Sequence, residues 1–290
     1  MRIPSNKYIS IMNFALQELN DIYDQTEIRS LIYMLFEEYL NVSKTDFIIH
    51  PNKSMSESEL LDFHFALKDL KKGKPIQYVL GYCYFNDLKF FVNNQSLIPR
   101  PETEEIVNTI IDKEKQYQHL KILDIGTGTG CIPISLATAM PQHHYEALDY
   151  KSEIIDLAKR NAAEHRVHIS FSIIDILQAS ASEIGNHDVI ISNPPYVLES
   201  EKEFMHSNVL DFEPSSALYV PNDNALLYYK RIVQLALQCL SNNGRLYFEV
   251  NENFAEDTAK LLSDNAFSNI QIHTDIHEKR RYISSVLIRQ

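Results

Sequence analysis

The sequence predicts a doubly wound α/β domain, its sheet mostly parallel with an antiparallel edge, preceded by a small helical region. Three observations carry that reading. From Lys121 onward, short apolar runs alternate with helical stretches, as they do where crossover helices cover a parallel sheet. The first run closes on a glycine-rich turn, Asp124-Ile125-Gly126-Thr127-Gly128-Thr129-Gly130, which opens the next helix. The last two runs, 270–274 and 282–288, are joined by a short link, so they form an antiparallel pair.

In chain order, Tyr8, Ile11, Met12, Ala15, Leu16 and Leu19 recur at helical spacing behind Ser5 as a cap. Ile28, Leu31, Ile32, Leu35, Phe36 and Tyr39 repeat the pattern. Ser56 and Glu59 have the spacing of a capping box ahead of Leu60, Leu61, Phe63, His64, Leu67 and Leu70, and Gly73 then Pro75 stop that helix. Residues 1–74 are therefore expected to form a helical bundle, with His64 at its boundary. Next, Pro75-Ile76-Gln77-Tyr78-Val79-Leu80-Gly81 with Tyr84-Phe85, and Leu88-Lys89-Phe90-Phe91-Val92, read as two β-rich runs about Asn86-Asp87, a hairpin linker over 75–100. Pro101 opens a helix whose first turn is acidic, carried on by Ile106, Ile110 and Ile111. Arg100, extended between two prolines, meets either an anionic ligand or a carboxylate of the protein itself. The strands of the 101–290 domain are expected at 121–125, 145–148, 169–174, 188–192, 245–250, 270–274 and 282–288.

Composition narrows the partners. A net charge of −12 over 290 residues argues against broad binding to a phosphate backbone. Cys83, Cys131 and Cys239 are far apart and odd in number, with no CxxC pair, so neither a disulfide framework nor a metal site is expected. The N-terminus has no long apolar run, and no stretch approaches the ~20 apolar residues of a membrane span. A reduced, cytoplasmic setting fits, without membrane or stable nucleic-acid partners.

The glycine turn is neither a dinucleotide fingerprint, since Cys131 stands where the spacing asks for the third glycine, nor a P-loop, since no Gly-Lys-Ser/Thr follows. Its G-x-G-x-G form, Gly126 to Gly130 with Thr127 and Thr129 between, resembles the S-adenosylmethionine loop of class I methyltransferases. Asp149, just past the second strand, can accept both hydroxyls of a ribose. Asp175 after the third strand can take an adenine amino group, with Ile176 over the ring. Either acid alone can equally be a helix cap. The fourth strand ends on Asn193-Pro194-Pro195-Tyr196. There the Asn193 side-chain oxygen and the Pro194 carbonyl can each accept one N–H of a planar NH2 group, with Pro195 rigidifying the turn and Tyr196 stacking on the plane.

Together, these motifs closely resemble the HemK-like family of protein-glutamine N5-methyltransferases. The resemblance runs through Gln77-Tyr78-Val79-Leu80-Gly81, Leu97-Ile98-Pro99-Arg100-Pro101-Glu102-Thr103-Glu104, the 124–130 loop, Asn193-Pro194-Pro195-Tyr196, and Phe212-Glu213-Pro214 with Ala217-Leu218. It covers nearly the whole chain, most weakly the first seventy or so residues. Asn-Pro-Pro-Tyr alone is shared with DNA amino-methyltransferases, whereas Pro-Arg-Pro-Glu-Thr-Glu is specific. The resemblance implies a class I methyltransferase fold with S-adenosylmethionine as donor. It implies as acceptor the glutamine in the Gly-Gly-Gln loop of peptide chain release factors, hence a role in translation termination. It maps donor binding onto residues 126–130, Asp149, Ile176 and Asn193, and acceptor contacts onto Asn193 to Tyr196. The helical region would hold the protein substrate, with the enzyme acting as a monomer. Two places depart from the family pattern: Glu249-Val250-Asn251 stands for Glu-Ile-Gly, and Asn224-Ala225-Leu226 for Asp-Gly-Leu.

Overall fold

The computed structural model describes residues 5–275 and 277–289. They divide into two compact units, one made of the chain up to Gly81 with His206–Phe212, the other of Tyr82–Met205 and Glu213 onward.

The first unit is helical: α1 (Tyr8–Leu19), α2 (Gln25–Leu40), α3 (Lys44–Ile49), α4 (Glu57–Leu70) and α5 (Ile76–Leu80). Side chains end the helices where the sequence supplies them. Asp24 accepts from the amides of Thr26 and Glu27, and Ser43–Asp46 and Ser56–Glu59 form reciprocal capping boxes. The core centres on Phe36, whose ring lies 4.9–5.0 Å from those of Tyr8, Phe47 and Phe63. Two elements differ from expectation. α3 is a six-residue helix with only Phe47 buried, too short to show a period. Residues 76–80 are helical rather than extended. The Pro75 carbonyl accepts from the Tyr78 and Val79 amides, and Gly81 ends the turn at φ +79°. Local hydrogen bonding overrides the β-branched composition there.

The second unit begins with the hairpin β1 (Tyr82–Phe85) and β2 (Leu88–Phe91), turning at Asn86 and Asp87, both with positive φ. It continues through α6 (Pro101–Glu114), β3 (Lys121–Ile125), α7 (Cys131–Ala139), β4 (His144–Asp149), α8 (Ser152–Glu164), β5 (Ser170–Ile173), α9 (Ala181–Ile184) and β6 (His187–Ser192). It also holds a small parallel pair, β7 (Val197–Leu198) and β8 (Tyr219–Val220), with α11 (Ser215–Leu218), whereas α10 (Ser207–Phe212) belongs to the first unit. Then come α12 (Leu227–Cys239), β9 (Leu240–Glu249), α13 (Ala255–Ser263), β10 (Phe267–Thr274) and β11 (Arg280–Leu287).

Among the described residues the main sheet has seven strands in the order β10-β11-β9-β6-β3-β4-β5. β11 runs antiparallel to both neighbours and the other strands are mutually parallel. The last strand of the chain is antiparallel and pairs with β10, as expected, and it lies one position in from the edge of the sheet. The burial patterns give the reason: four successive residues of β11, Tyr282 to Ser285, are buried, whereas β10 alternates as an edge strand does. The buried polar residue Asn161 of α8 ties the hairpin to the domain. Its amide bonds the Phe91 N–H and C=O at 2.8 and 3.0 Å and the Thr129 carbonyl at 2.8 Å, pinning the glycine loop from behind.

Candidate active site

Because β3, β4, β5 and β6 are parallel neighbours, their C-terminal ends open on the same side. The loops leaving them enclose a cavity of about 320 Å³. Gly126, Thr127, Gly128 and Thr129 form one wall, Asp149, Asp175 and Ile176 the next, and Asn193, Pro194 and Pro195 the third. Leu97, Ile154 and Tyr228 add apolar surface. Ten of the twelve distinct site residues expected from the sequence line this cavity, and Gly130 and Tyr196 stand behind its wall.

The loop is closed by its own backbone. The Leu148 carbonyl at the end of β4 accepts the amides of both Gly126 and Thr127, at 2.9 and 3.0 Å, and the Gly130 amide bonds the Thr127 carbonyl at 2.8 Å. Gly130 does not line the cavity. It has φ +80°, and a Cβ there would stand 2.9 Å from the Ile134 δ-carbon and 3.3 Å from the Ala158 Cβ, so its role is to let α7 pack against α8.

Asp149 is buried, its two carboxylate oxygens accepting the amides of Gly128 at 3.0 Å and Tyr150 at 2.8 Å. Burial pushes its carboxyl above the usual range, against the pull of those two amides. Asp175 closes a turn rather than capping a helix, for it accepts the Leu177 amide at 3.0 Å while lining the cavity. Asp124, beneath the loop, is 1% exposed, and burial raises its carboxyl to about 7, with the Thr127 hydroxyl lowering it and the charge of Asp149 raising it further.

The third wall is an elbow held from below. Ser192 anchors it, its hydroxyl donating to the Ile125 carbonyl at 2.8 Å across the β3–β6 seam. Asn193 reaches the Thr103 hydroxyl through Nδ2 at 3.5 Å. Thr103, in the first turn of α6, donates its O–H to Glu249 Oε2 at 2.6 Å. Tyr196 donates its O–H to the other oxygen of Glu249 at 3.1 Å, and its ring packs on the sheet's core instead of lining the cavity. The stacking role expected for Tyr196 is therefore not where its ring lies: a hydroxyl with a buried carboxylate beneath it turns inward. Burial, and then the Glu249 carboxylate, push the phenol well above its ordinary range. Glu249 is itself 3% exposed, and burial raises its carboxyl while the hydroxyls of Thr103 and Tyr196 lower it.

Arg100 lines the cavity and also meets a carboxylate of the protein. Its guanidinium pairs with Glu213, a carboxylate whose side chain is 1% exposed and which also accepts the Ile98 amide at 3.3 Å. The departures from the family pattern are accommodated. The Asn251 side chain donates to the Tyr196 carbonyl at 3.3 Å and accepts the Asn253 amide at 2.9 Å, so it buttresses the elbow. Ala225 does not have positive φ, so the freedom a glycine would bring is not used there. Sequence reasoning missed Thr103 and Glu249 as site residues. Both sit inside quoted motifs, but they are 146 positions apart and only their contact reveals a function. It also missed Tyr150 and Ser216, whose hydroxyls meet at 2.6 Å at the cavity mouth.

Comparison with known proteins agrees with this architecture. Residues 10–81 match the family model described as PrmC N-terminal domain, and residues 103–211 match Methyltransferase small domain. The chain is 42% identical over 271 residues to the release factor glutamine methyltransferase of Flavobacterium psychrophilum, covering 92% of this chain and 95% of that one. It is 35% identical over 275 residues to the protein of the same name from Bacteroides thetaiotaomicron, covering 95% and 98%. Among solved structures, a methyltransferase from Pyrococcus furiosus superposes with a TM-score of 0.50 at 14% identity, over 81% of this chain and 100% of that one, which speaks for the fold. With two relatives matched nearly end to end at such identity, and with the fold and both family models in agreement, this chain belongs to the release factor glutamine methyltransferase family.

Proposed function

We propose that this protein transfers the methyl group of S-adenosylmethionine to the side-chain nitrogen of the glutamine in the Gly-Gly-Gln loop of peptide chain release factors. The observation that supports this most directly is the placement of Asn193 and Pro194 on the wall of the same cavity as the glycine loop, in a chain of this family. The cavity's chemistry suits the donor. Its volume is that of a small-molecule site, and it combines apolar walls with two carboxylates, Asp149 and Asp175, at the ends of adjacent strands. Residues 126–129 would hold the methionine portion, Asp149 the ribose hydroxyls, and Asp175 with Ile176 the adenine. When bound, S-adenosylmethionine supplies a methyl already activated by a sulfonium, so no strong base is required of the protein.

What the chain's own residues must do is orient the acceptor. A glutamine amide nitrogen is a weak nucleophile because its lone pair is delocalised into the carbonyl. The Asn193 side-chain oxygen and the Pro194 carbonyl accept its two N–H groups, fixing the NH2 so that the nitrogen lone pair faces the donor site. Both acceptors also stabilise the positive charge that grows on nitrogen, because they are already aimed before reaction. Pro194 and Pro195 keep the turn rigid, and Tyr196 fixes the elbow through Glu249 rather than by contact with the amide. The extra proton leaves to water after transfer.

A protein acceptor fits the net charge of −12 better than a nucleic acid does. We take the active form to be a monomer. The deciding experiment is mass spectrometry of a release factor incubated with the protein and S-adenosylmethionine. One added methyl on the Gly-Gly-Gln glutamine is the expected result, and an unmodified glutamine after prolonged incubation would overturn the reading.

A further inference from the structure

We propose that Thr103 and Glu249 form a hydrogen-bond polarity relay that fixes which face Asn193 presents to the cavity, making both of them positioning residues. The relay rests on the reading of Asn193 as the acceptor-binding group and adds the device that orients it.

What each group can donate or accept decides the arrangement. A primary carboxamide has a donor end and an acceptor end of nearly equal size, so packing alone does not choose between its two flips. Methyl transfer to an NH2 group needs the oxygen end in the cavity, for the nitrogen end would repel the substrate's N–H groups. A threonine hydroxyl has one proton and two lone pairs. The Thr103 proton is committed to Glu249 Oε2 at 2.6 Å, a short bond. Toward Asn193 the same hydroxyl can then only accept. Asn193 therefore turns its Nδ2 to Thr103, a long contact of 3.5 Å, and leaves Oδ1 for the cavity. Glu249 can hold this polarity because each of its two oxygens accepts a hydroxyl. Its second oxygen takes the Tyr196 hydroxyl at 3.1 Å, so one buried carboxyl group grips both ends of the elbow, Tyr196 directly and Asn193 through Thr103. The position of Glu249 is fixed in turn, its backbone carbonyl accepting the Tyr229 hydroxyl at 2.9 Å. Thr103 lies in α6 and Glu249 at the end of β9, so the relay joins two elements that the chain order keeps apart.

The test compares Thr103→Val, which keeps the shape and removes the hydroxyl, with Thr103→Ser, which keeps the hydroxyl. With release factor as acceptor, Thr103→Val is expected to lower kcat about tenfold or more, with KM and S-adenosylmethionine affinity within about twofold of wild type, and Thr103→Ser to recover most of the loss. The assigned side-chain amide resonances of Asn193 should move in Thr103→Val and stay in place in Thr103→Ser, a readout that needs no turnover. Unchanged kcat and unmoved resonances in Thr103→Val would overturn the relay, as would a Thr103→Ser variant as impaired as Thr103→Val. Should Thr103→Val fail to fold, Glu249→Gln decides. Its amide offers one acceptor to two hydroxyl donors, so a drop in kcat is expected and wild-type kcat overturns the proposal. A wild-type protein that methylates release factor while Thr103→Val matches it defeats the relay alone. A wild-type protein that transfers no methyl defeats the functional reading, and the resonances still judge the relay.

Discussion

The two principal walls of the cavity are built by opposite means. The glycine loop is made of backbone: its amides close on the Leu148 and Thr127 carbonyls, and the side chain that matters most at Gly130 is the one it lacks. The elbow is made of side chains, with Asn193 and Tyr196 both referred to one buried carboxylate, Glu249. The first design is contiguous, and at Gly130 it leaves no room for a side chain. The second is discontinuous and depends on the polarity of each bond. If this contrast is right, substitutions in the elbow should act on turnover and substitutions in the loop on stability and donor affinity.

The largest expected effect follows from removing the acceptor at the centre of the elbow. Asn193→Ala should lower kcat about 100-fold or more while changing S-adenosylmethionine affinity less than about threefold, measured by methyl-transfer kinetics and calorimetry. Turnover close to wild type would break the comparison, since the elbow would then be scaffolding only. The loop is tested by Gly130→Ala. A non-glycine residue at positive φ, with its Cβ against Ile134, is expected to cost about 1–2 kcal/mol in denaturant unfolding and to weaken donor binding. Substrate KM should be spared. A loss of kcat without loss of stability would put the loop in the elbow's class.

The carboxylate beneath the loop gives a pH signature. Asp124 is held at about 7 when folded, above its unfolded value, so between those two values the native state binds the proton and the unfolded chain does not. Stability from this group is therefore greatest at low pH and is lost as pH rises toward about 7, with a slope of up to ~1.4 kcal/mol per pH unit. Asp124→Asn should flatten that slope in thermal or urea unfolding series, leaving the contribution of Asp149, which is raised in the same direction. An unchanged slope would show that the buried acid is not the titrating group. The smallest effect is expected at Asn251, where the side chain adds one hydrogen bond to the Tyr196 carbonyl. Asn251→Gly should reduce kcat about two- to threefold, in keeping with a net ~0.5–1 kcal/mol for one partly exposed bond. A larger loss would promote this buttress to an essential part of the elbow.

How far the molecule was legible in its sequence follows the same division. The strands of the main sheet were readable because each carries a short cluster of apolar residues between turn residues, and the strand-end placement of Gly126, Asp149, Asp175 and Asn193 followed from that order alone. Where burial and local hydrogen bonding disagreed with composition, the reading strayed. Residues 76–80 look β-prone yet form a helical turn between Pro75 and Gly81. β9 starts at Leu240 rather than at 245, its first residues being polar except Leu240 itself. The small strands and helices between 197 and 220 are too short to carry any period.

Chain order thus determined the alternation of strands and helices, the turn chemistry of the glycine loop and the presence of a rigid asparagine elbow, because each depends on neighbours within a few residues. Only the tertiary structure decided which partner each polar side chain would take. It set Thr103 against Glu249, Arg100 against Glu213 and Tyr196 inward rather than toward the cavity. A buried donor or acceptor must find a match among whatever the fold brings within about 3 Å, and sequence distance says nothing about that neighbourhood.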